Sequence, residues 1–320
     1  MRGRPNFLFV GLELLCLATA WVLRPRLQKL PPGIVPRDSF PALYTLVDTV
    51  AQALGTSRVR GIVVDEQFNA AFAQVGWRRH KVVFLGLPLW SILDSPEKVA
   101  LLAHELAHGV NRDAHRGFFV GTAIHSLATW YALLHPGRIV KTEDGLLGLL
   151  AIPLNLVLLG LSSVARLAVY ALSYLLWRDS QRAEYLADSL AATVSGTEAM
   201  LSMLEKLHFE RTFDLALQRV SVSRDNTRDL FAELRLAMAH VPEREVERVR
   251  RVQHLETSRL DVTHPPTLYR VALLQAHPVE RPRVQLAPGD FGRIDRVVMS
   301  VRDQIRRELL DLYEAHLYGY

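Results

Sequence analysis

Long apolar runs alternate with shorter amphipathic stretches along this chain. Residues 7–23 form a run of 17 residues interrupted by Glu13, and two further runs occupy residues 118–134 and 146–163. A helix of 17 residues spans about 25 Å, which is near the lower limit for crossing a bilayer. The pattern predicts an N-terminal membrane anchor and, later in the chain, an inserted transmembrane hairpin with a polar connection at 135–145.

Each run also has a second interpretation. The tripeptide Ala18-Thr-Ala20 resembles a signal-peptide cleavage site, and the two central runs could be buried helices of a soluble core. Beyond Arg166, the apolar stretch 167–177 has too few residues to span a bilayer. It is predicted to be an interfacial or core helix leading into the next segment, with Arg166 snorkelling at the interface.

Shorter periodic patterns predict a mainly α fold with a small β-sheet, an α+β class. A helical pattern covers 40–54, strands are predicted at 59–64 and 81–85, and 69–75 is predicted as an edge strand. Helices are predicted over 198–208, 228–240, 243–259 and 291–317. The predicted regions are an anchor (1–30), a first half of the main domain (31–116), the hairpin (117–165), a second half of the main domain (166–275) and a helical extension (276–320).

Composition narrows the classes of partner. The chain is 49% hydrophobic and carries a formal net charge of +5. We find no basic stripe interleaved with aromatic residues, so no nucleic-acid partner is expected, and the positive charge suits an anionic membrane surface. The single cysteine, Cys16, excludes an intramolecular disulfide. The lipid bilayer is therefore the first predicted partner.

The segment 101–109 contains His104, Glu105 and His108 in HExxH spacing. Residues four apart lie on one helix face, so both imidazoles can reach one metal ion, and Glu105 then faces water on that metal. Zn²⁺ lowers the pKa of such a water to about 7. Ser95 followed by Pro96 predicts the N-terminus of the helix about two turns earlier.

A catalytic zinc needs a third protein ligand and one open position. The extended pattern HExxHxxGxxH is absent, because Asn111 and Ala114 occupy its glycine and histidine positions. A second helix offers Glu184 as the ligand, and Asp188, one turn later, could accept the free ring N–H of a ligating histidine. The sequence therefore predicts a His₂Glu site for one Zn²⁺ per chain.

Four segments together resemble the membrane-bound zinc metallopeptidases of the HtpX and CAAX prenyl protease type, of the gluzincin class. The segments are Leu-Leu-Ala-His-Glu-Leu-Ala-His-Gly-Val-Asn-Arg-Asp at 101–113, Arg-Ala-Glu-Tyr-Leu-Ala-Asp at 182–188, Asn-Ala-Ala-Phe-Ala at 69–73 and Thr-His-Pro-Pro-Thr-Leu-Tyr-Arg at 263–270. The resemblance implies a zincin-like catalytic domain that cleaves proteins or peptides.

The resemblance also implies roles for two further segments. The strand containing Asn69, Ala70 and Ala71 would hold an extended substrate by main-chain pairing, although these residues could equally pack beneath the motif helix. His264 would stabilise a developing oxyanion, donate a proton or occupy the open metal position; a His-Pro pair can also simply precede a helix.

Because His108 precedes the hairpin and Glu184 follows it, a shared metal requires an even number of crossings between them. Arginines then concentrate on the side of the metal site, which predicts a multi-pass cell-membrane protein with a cytoplasmic catalytic domain. The expected activity is zinc-dependent endopeptidase action in quality control of membrane or misfolded proteins. The alternative is a non-catalytic, chaperone-like scaffold with a structural zinc. The oligomeric state stays open.

Overall fold

The computed structural model describes residues 29–76, 78–110, 113–135, 146–223, 228–255 and 265–318, together with the isolated position 13. Residues 1–28 of the predicted anchor other than Glu13, the loop 136–145 and His264 lie outside the described residues. The chain divides into two compact units, one containing residues 115–177 and the other residues 29–114 and 178–320.

The second of these units contains a three-stranded sheet. Its strands are β1 (Gly61–Asp65), β2 (Ala70–Val75) and β3 (His80–Gly86), in the order β1-β3-β2. Strand β1 pairs with β3 in parallel, and β2 pairs with β3 antiparallel. Among the described residues β2 is therefore an edge strand, as predicted for 69–75.

Helices make up most of the remaining structure. They are α1 (Pro41–Ala53), α2 (Leu87–Ile92), α3 (Ser95–Val110), α4 (Asp113–Leu134), α5 (Leu146–Ser195), α6 (Thr197–Leu207), α7 (Glu210–Val222), α8 (Leu230–Ala239), α9 (Glu243–Leu255), α10 (Thr267–Ala276), α11 (Pro288–Val298) and α12 (Arg302–Tyr318). A short 3₁₀ turn, Met299–Val301, joins the last two helices. The predicted mainly α fold with a small sheet is confirmed.

One hydrophobic core supports the sheet and the motif helix. Helix α1 contributes a stripe at helical spacing, Leu43, Leu46, Val47 and Val50, which is fully or almost fully buried. Helix α3 is buried on most sides, in keeping with its Ala/Leu-rich sequence. The face of α3 opposite the metal ligands is therefore packed in the core, which holds the helix in place.

Membrane-spanning potential is concentrated in α5. By length and composition, the stretch Asn155–Ser195 is the one described helix that could cross a bilayer, whereas Ala123–Leu134 is a shorter apolar helix. Large apolar side chains such as Leu156, Val164 and Leu167 are exposed. The predicted hairpin as a whole is not established by these helices.

Helix α5 also differs from the sequence-based division. The prediction separated the run ending near residue 163 from the stretch 167–177, but the structure has one continuous helix from Leu146 to Ser195. No proline or glycine lies between Arg166 and Ser195, so nothing in this sequence ends the helix at Arg166.

Candidate metal centre

The motif helix α3 begins at a side-chain and backbone cap. The carbonyl of Asp94 accepts the N–H of Lys98 at 2.9 Å, and the carboxylate of Glu97 accepts the N–H of Asp94 at 2.6 Å. This is the returning half of a capping box, so the cap is Asp94 and not Ser95 as predicted. The register of α3 places His104 and His108 one turn apart on the same face.

Three ligand-type side chains converge where α3 meets α5. The Nε2 atoms of His104 and His108 are 3.3 Å apart. Oε2 of Glu184 lies 3.5 Å from the His104 nitrogen, and Oε1 lies 3.4 Å from the His108 nitrogen. In a tetrahedral site with bonds of about 2.0–2.1 Å, neighbouring ligand atoms are about 3.3–3.4 Å apart. The separation of the two histidine nitrogens matches this value, and the three residues form a group that could hold one metal ion.

A second layer of charge lies behind His104. Its Nδ1 is 3.0 Å from Oδ1 of Asp188, a close polar contact whose angle departs from that of a standard hydrogen bond. A proton on Nδ1 facing this carboxylate leaves the Nε2 lone pair directed at the metal position. The predicted contact between Asp188 and a ligating histidine is thus present.

Arg270, on α10, holds Asp188 from the other side. Its Nε and Nη2 donate to the two Asp188 oxygens at 2.6 Å each, and Nη2 lies 3.5 Å from Glu184. Burial alone would lower the pKa of Arg270, but the hydrogen bonds and charge of Asp188, with the charges of Glu184 and Glu105, raise it above the ordinary value. The guanidinium therefore remains charged.

The charges of the buried site also fit a divalent cation. Glu105, Glu184 and Asp188 are all buried, and so is Arg270, the one arginine or lysine that the described part of the chain places in contact with them. Three carboxylates and one guanidinium leave two negative charges unbalanced, which would be very unfavourable in a site largely removed from water. A bound Zn²⁺ would neutralise that excess.

Comparison with known proteins identifies the family. The model of peptidase family M48 matches residues 39–285, which is most of the chain and includes every residue of the metal-binding group. The chain belongs to peptidase family M48. The match confirms that the chain is an HtpX-type zinc metallopeptidase, as the four segments indicated.

Relatives of this M48 peptidase are described as HtpX protease homologues. The one from Pyrobaculum calidifontis is 30% identical over 247 residues, covering 75% of this chain and 69% of its own length. Another, from Desulforapulum autotrophicum, is 32% identical over 179 residues, covering 53% of this chain and 54% of its own length. No solved structure matches the chain.

Sequence reasoning found most of the residues that this M48 peptidase brings together, with one omission. The sequence gives Arg270 only as the last residue of a family segment; its burial, which indicates an acidic partner, is seen only in the structure. Ala70 and Ala71 lie in β2 and Asn69 directly precedes it, on the side of the sheet that approaches α3. The role predicted for His264 falls outside the described residues.

Proposed function

We propose that this chain is a membrane-bound zinc endopeptidase in which His104, His108 and Glu184 hold the metal and Glu105 is the general base. The observation that carries this proposal is the convergence of three side chains: the Nε2 atoms of His104 and His108 are 3.3 Å apart, and each lies within 3.5 Å of one oxygen of Glu184. A buried glutamate, Glu105, lies beside them on the helix of the two histidines. Among the described residues the metal-binding group has three members, which suits a catalytic site with an open position.

When bound, zinc polarises the peptide carbonyl and lowers the pKa of a water molecule at the open position. The carboxylate of Glu105 accepts a proton from the attacking water as the oxygen bonds to the carbonyl carbon. The same group, now a carboxylic acid, donates that proton to the leaving nitrogen as the C–N bond breaks. One residue therefore serves both proton transfers.

Asp188 and Arg270 act on this chemistry through His104. Asp188 fixes the tautomer and the orientation of the His104 ring, and Arg270 keeps Asp188 charged and stationary by a bidentate contact. Partners of this kind raise metal affinity without touching the substrate.

For substrate binding we propose strand addition at β2. An extended peptide can pair with the unoccupied edge of a sheet through main-chain hydrogen bonds, which holds unfolded segments of many sequences. The small side chains of Ala70 and Ala71, together with Asn69, leave that edge open. His264 would then act near the metal, at the end of the segment leading into α10.

Two features support a location in the membrane. Helix α5 contains a stretch long and apolar enough to cross a bilayer, and large apolar side chains along it are exposed. We propose a multi-pass arrangement with an N-terminal anchor, a hairpin and a cytoplasmic catalytic domain. Quality control of membrane or misfolded proteins suits an enzyme that binds extended segments.

Glu105→Gln tests the proposed function directly. Glutamine keeps the shape of the side chain but cannot accept the proton, so the variant should bind about one zinc per chain and lose at least about 100-fold in casein hydrolysis in detergent. His104→Ala should lose both zinc and activity. Glu198→Gln, at an exposed position on α6, is the matched control.

Two results would contradict this assignment. Full activity of purified Glu105→Gln would exclude Glu105 as the base. A wild-type protein that binds zinc but hydrolyses no unfolded protein would favour the alternative, a chaperone-like membrane scaffold with a structural zinc.

A further inference from the structure

The edge strand β2 contacts the motif helix α3 at a glycine, where the helix has no side chain. The ring of Phe72, in β2, lies over Gly109, the residue that directly follows the ligand His108. A Cβ atom added at Gly109 would be 2.7 Å from Cζ and 3.0 Å from Cε1 of that ring. Carbon atoms in contact are normally about 3.5–4.0 Å apart, so any larger residue at 109 would displace the ring or the helix.

The beginning of the same strand is held by a second close approach. The N–H of Gly86 donates to the carbonyl of Asn69 at 2.9 Å. A Cβ atom at Gly86 would be 1.7 Å from the Gln67 carbonyl oxygen and 2.4 Å from that of Asn69. Strand β2 is therefore held both where it begins and at its third residue.

These contacts determine how far the free edge of β2 lies from the metal ligands. Phe72 is half-buried and packs against the main core, on the same face of β2 as the buried Ala70. The partner of Phe72 across the sheet is Val83 of β3, whose side chain is fully buried. The strand is thus backed by the core on one side and spaced from α3 by a single aromatic ring.

We propose that Phe72, resting on Gly109, is a positioning residue that holds the substrate-binding edge at the distance from the metal centre that peptide hydrolysis requires. This inference rests on the proposed function, because it assumes that an extended peptide pairs with β2. A misplacement of about 1 Å can lower a rate by about 100-fold, so the size of the ring and the absence of a side chain at Gly109 should both affect turnover.

The role predicts a dependence on substrate length. An extended decapeptide pairs along β2 and takes its position from the strand, whereas a blocked tripeptide reaches little beyond the metal ligands. Gly109→Ala should lower kcat/KM for the decapeptide by about 10- to 100-fold and change that for the tripeptide much less. Zinc content should stay at the wild-type value.

A second substitution separates positioning from misfolding. Phe72→Leu removes the ring atoms that the new methyl group would meet, so the double variant Gly109→Ala with Phe72→Leu should recover most of the decapeptide activity lost by Gly109→Ala. Gly292→Ala is the matched control, because that glycine lies in helix α11 and an added Cβ there meets nothing within 4 Å. It should leave both substrates unaffected.

Binding provides a measurement that needs no turnover. In the zinc-loaded Glu105→Gln background, Gly109→Ala should weaken binding of a fluorescent decapeptide, measured by anisotropy, and Phe72→Leu should restore it. Unchanged decapeptide binding and kcat/KM in Gly109→Ala would overturn the positioning role. So would equal losses for both peptides together with loss of zinc, since the contact would then serve only to fold α3.

The two proposals fail in different ways. If wild-type protein cleaves neither peptide, the endopeptidase proposal fails, and the anisotropy experiment still decides whether Phe72 and Gly109 position a bound peptide. If wild-type protein cleaves both and Gly109→Ala does so equally well, the positioning proposal alone fails.

Discussion

Asp188 is a carboxylate with no exposed surface, and its charge is stable there because of Arg270. Each Asp188 oxygen receives one hydrogen bond from the planar guanidinium. A buried charge that loses its partner destabilises a fold much more than the intact pair stabilises it. The pair therefore makes the orientation of His104 dependent on Arg270, which lies 82 positions after Asp188 in the chain.

Arg270→Ala should destabilise the protein and weaken its hold on zinc. Removing the guanidinium leaves Asp188 buried without its main donor, at a cost of about 3–5 kcal/mol in the free energy of unfolding. Zinc affinity should fall about 10- to 100-fold because the His104 ring loses its support. Denaturant unfolding and competition with a chelator measure the two effects.

The geometry of the guanidinium can be tested separately from its charge. Arg270→Lys keeps the charge but cannot make two parallel hydrogen bonds, so it should recover stability only in part. Arg248→Ala, which removes an exposed arginine from α9, should change neither quantity. A zinc affinity of Arg270→Ala equal to that of the wild type would show that Asp188 needs no partner to orient His104.

Some residues of this site can be predicted from the sequence more easily than others. His104, Glu105 and His108 lie within a single helix, where spacing alone determines which side chains share a face. Glu184 could be inferred because a catalytic zinc needs a third ligand. Arg270 could not, since its contact with Asp188 depends on the packing of α10 against α5, and neither helix shows a periodicity that specifies its partner.

At the scale of elements, the two halves of α3 have different roles. The candidate metal ligands lie in its C-terminal half, and the side chains that bind it to other helices lie in its N-terminal half. Glu97 accepts hydrogen bonds from Ser202 at 2.6 Å and Lys206 at 2.7 Å, both on α6. Lys98 pairs with Asp295 of α11 at 2.8 Å. These contacts fix the rotation of α3 about its own axis. The direction in which the ligand side chains at its other end point is therefore fixed as well.

The pair between α3 and α11 should respond asymmetrically to substitution. The Lys98 side chain is 7% exposed and that of Asp295 38%. Lys98→Met leaves an aspartate that water can reach, so it should cost at most about 1 kcal/mol. Asp295→Ala leaves a buried ammonium, and also the indole N–H of Trp90 that donates to Asp295, so it should cost about 3 kcal/mol.

Urea unfolding in detergent measures both variants, and the double variant is the control. With Lys98→Met already present, Asp295→Ala no longer leaves a buried charge unpaired and should add only about 1 kcal/mol, for the Trp90 N–H that loses its acceptor. Equal destabilisation by the two single substitutions would mean that Lys98 is hydrated in solution.

Elements were easier to predict than their limits. The short segments 59–64 and 81–85, each with a run of valine and other apolar residues, predict two strands, and both are present as β1 and β3. The turn-length helix α2 was missed because six residues are too few to show a helical period. Helix α5 was divided at Arg166 because hydropathy counts charges, whereas helix continuity depends on backbone breakers that this segment lacks.

At the scale of the whole molecule, one carboxylate makes stability depend on pH. Burial, with the nearby Glu66 charge, raises the pKa of Asp65 to about 6, although the N–H of Gln67 opposes the shift. Between pH 4 and pH 6 the folded chain therefore holds a proton that the unfolded chain has released. Stability should fall as pH rises through this window and stay lower above it.

Asp65→Asn should remove this dependence. The asparagine can still accept the Gln67 N–H but never ionises, so the variant should be more stable than wild type at pH 7, by about 1 kcal/mol after allowing for partial exposure of the side chain. Thermal unfolding followed from pH 4 to pH 8 measures it. Asp38→Asn, at an exposed position, is the control. A difference in stability between Asp65→Asn and wild type that stays the same from pH 4 to pH 8 would contradict the prediction.

The distribution of arginine and lysine makes a prediction about topology. If His108 and Glu184 share one metal and each of the two central runs crosses the bilayer, the loop 135–145 lies on the opposite face of the membrane from the site. Arg138 and Lys141 fall in that loop, whereas five arginines near the ends of the two runs fall on the side of the site: Arg112, Arg116, Arg166, Arg178 and Arg182. The positive-inside bias then puts the loop outside the cell and the site in the cytoplasm.

Cysteine labelling tests this arrangement, since Cys16 is the one native cysteine. In a Cys16→Ser background, Lys141→Cys should react with a membrane-impermeant maleimide in intact cells. Glu247→Cys, at an exposed position of α9, should react only after the membrane is opened. Labelling of both positions from outside would place the loop and the catalytic unit on the same face, and a metal shared by His108 and Glu184 would then require that the two central runs do not cross.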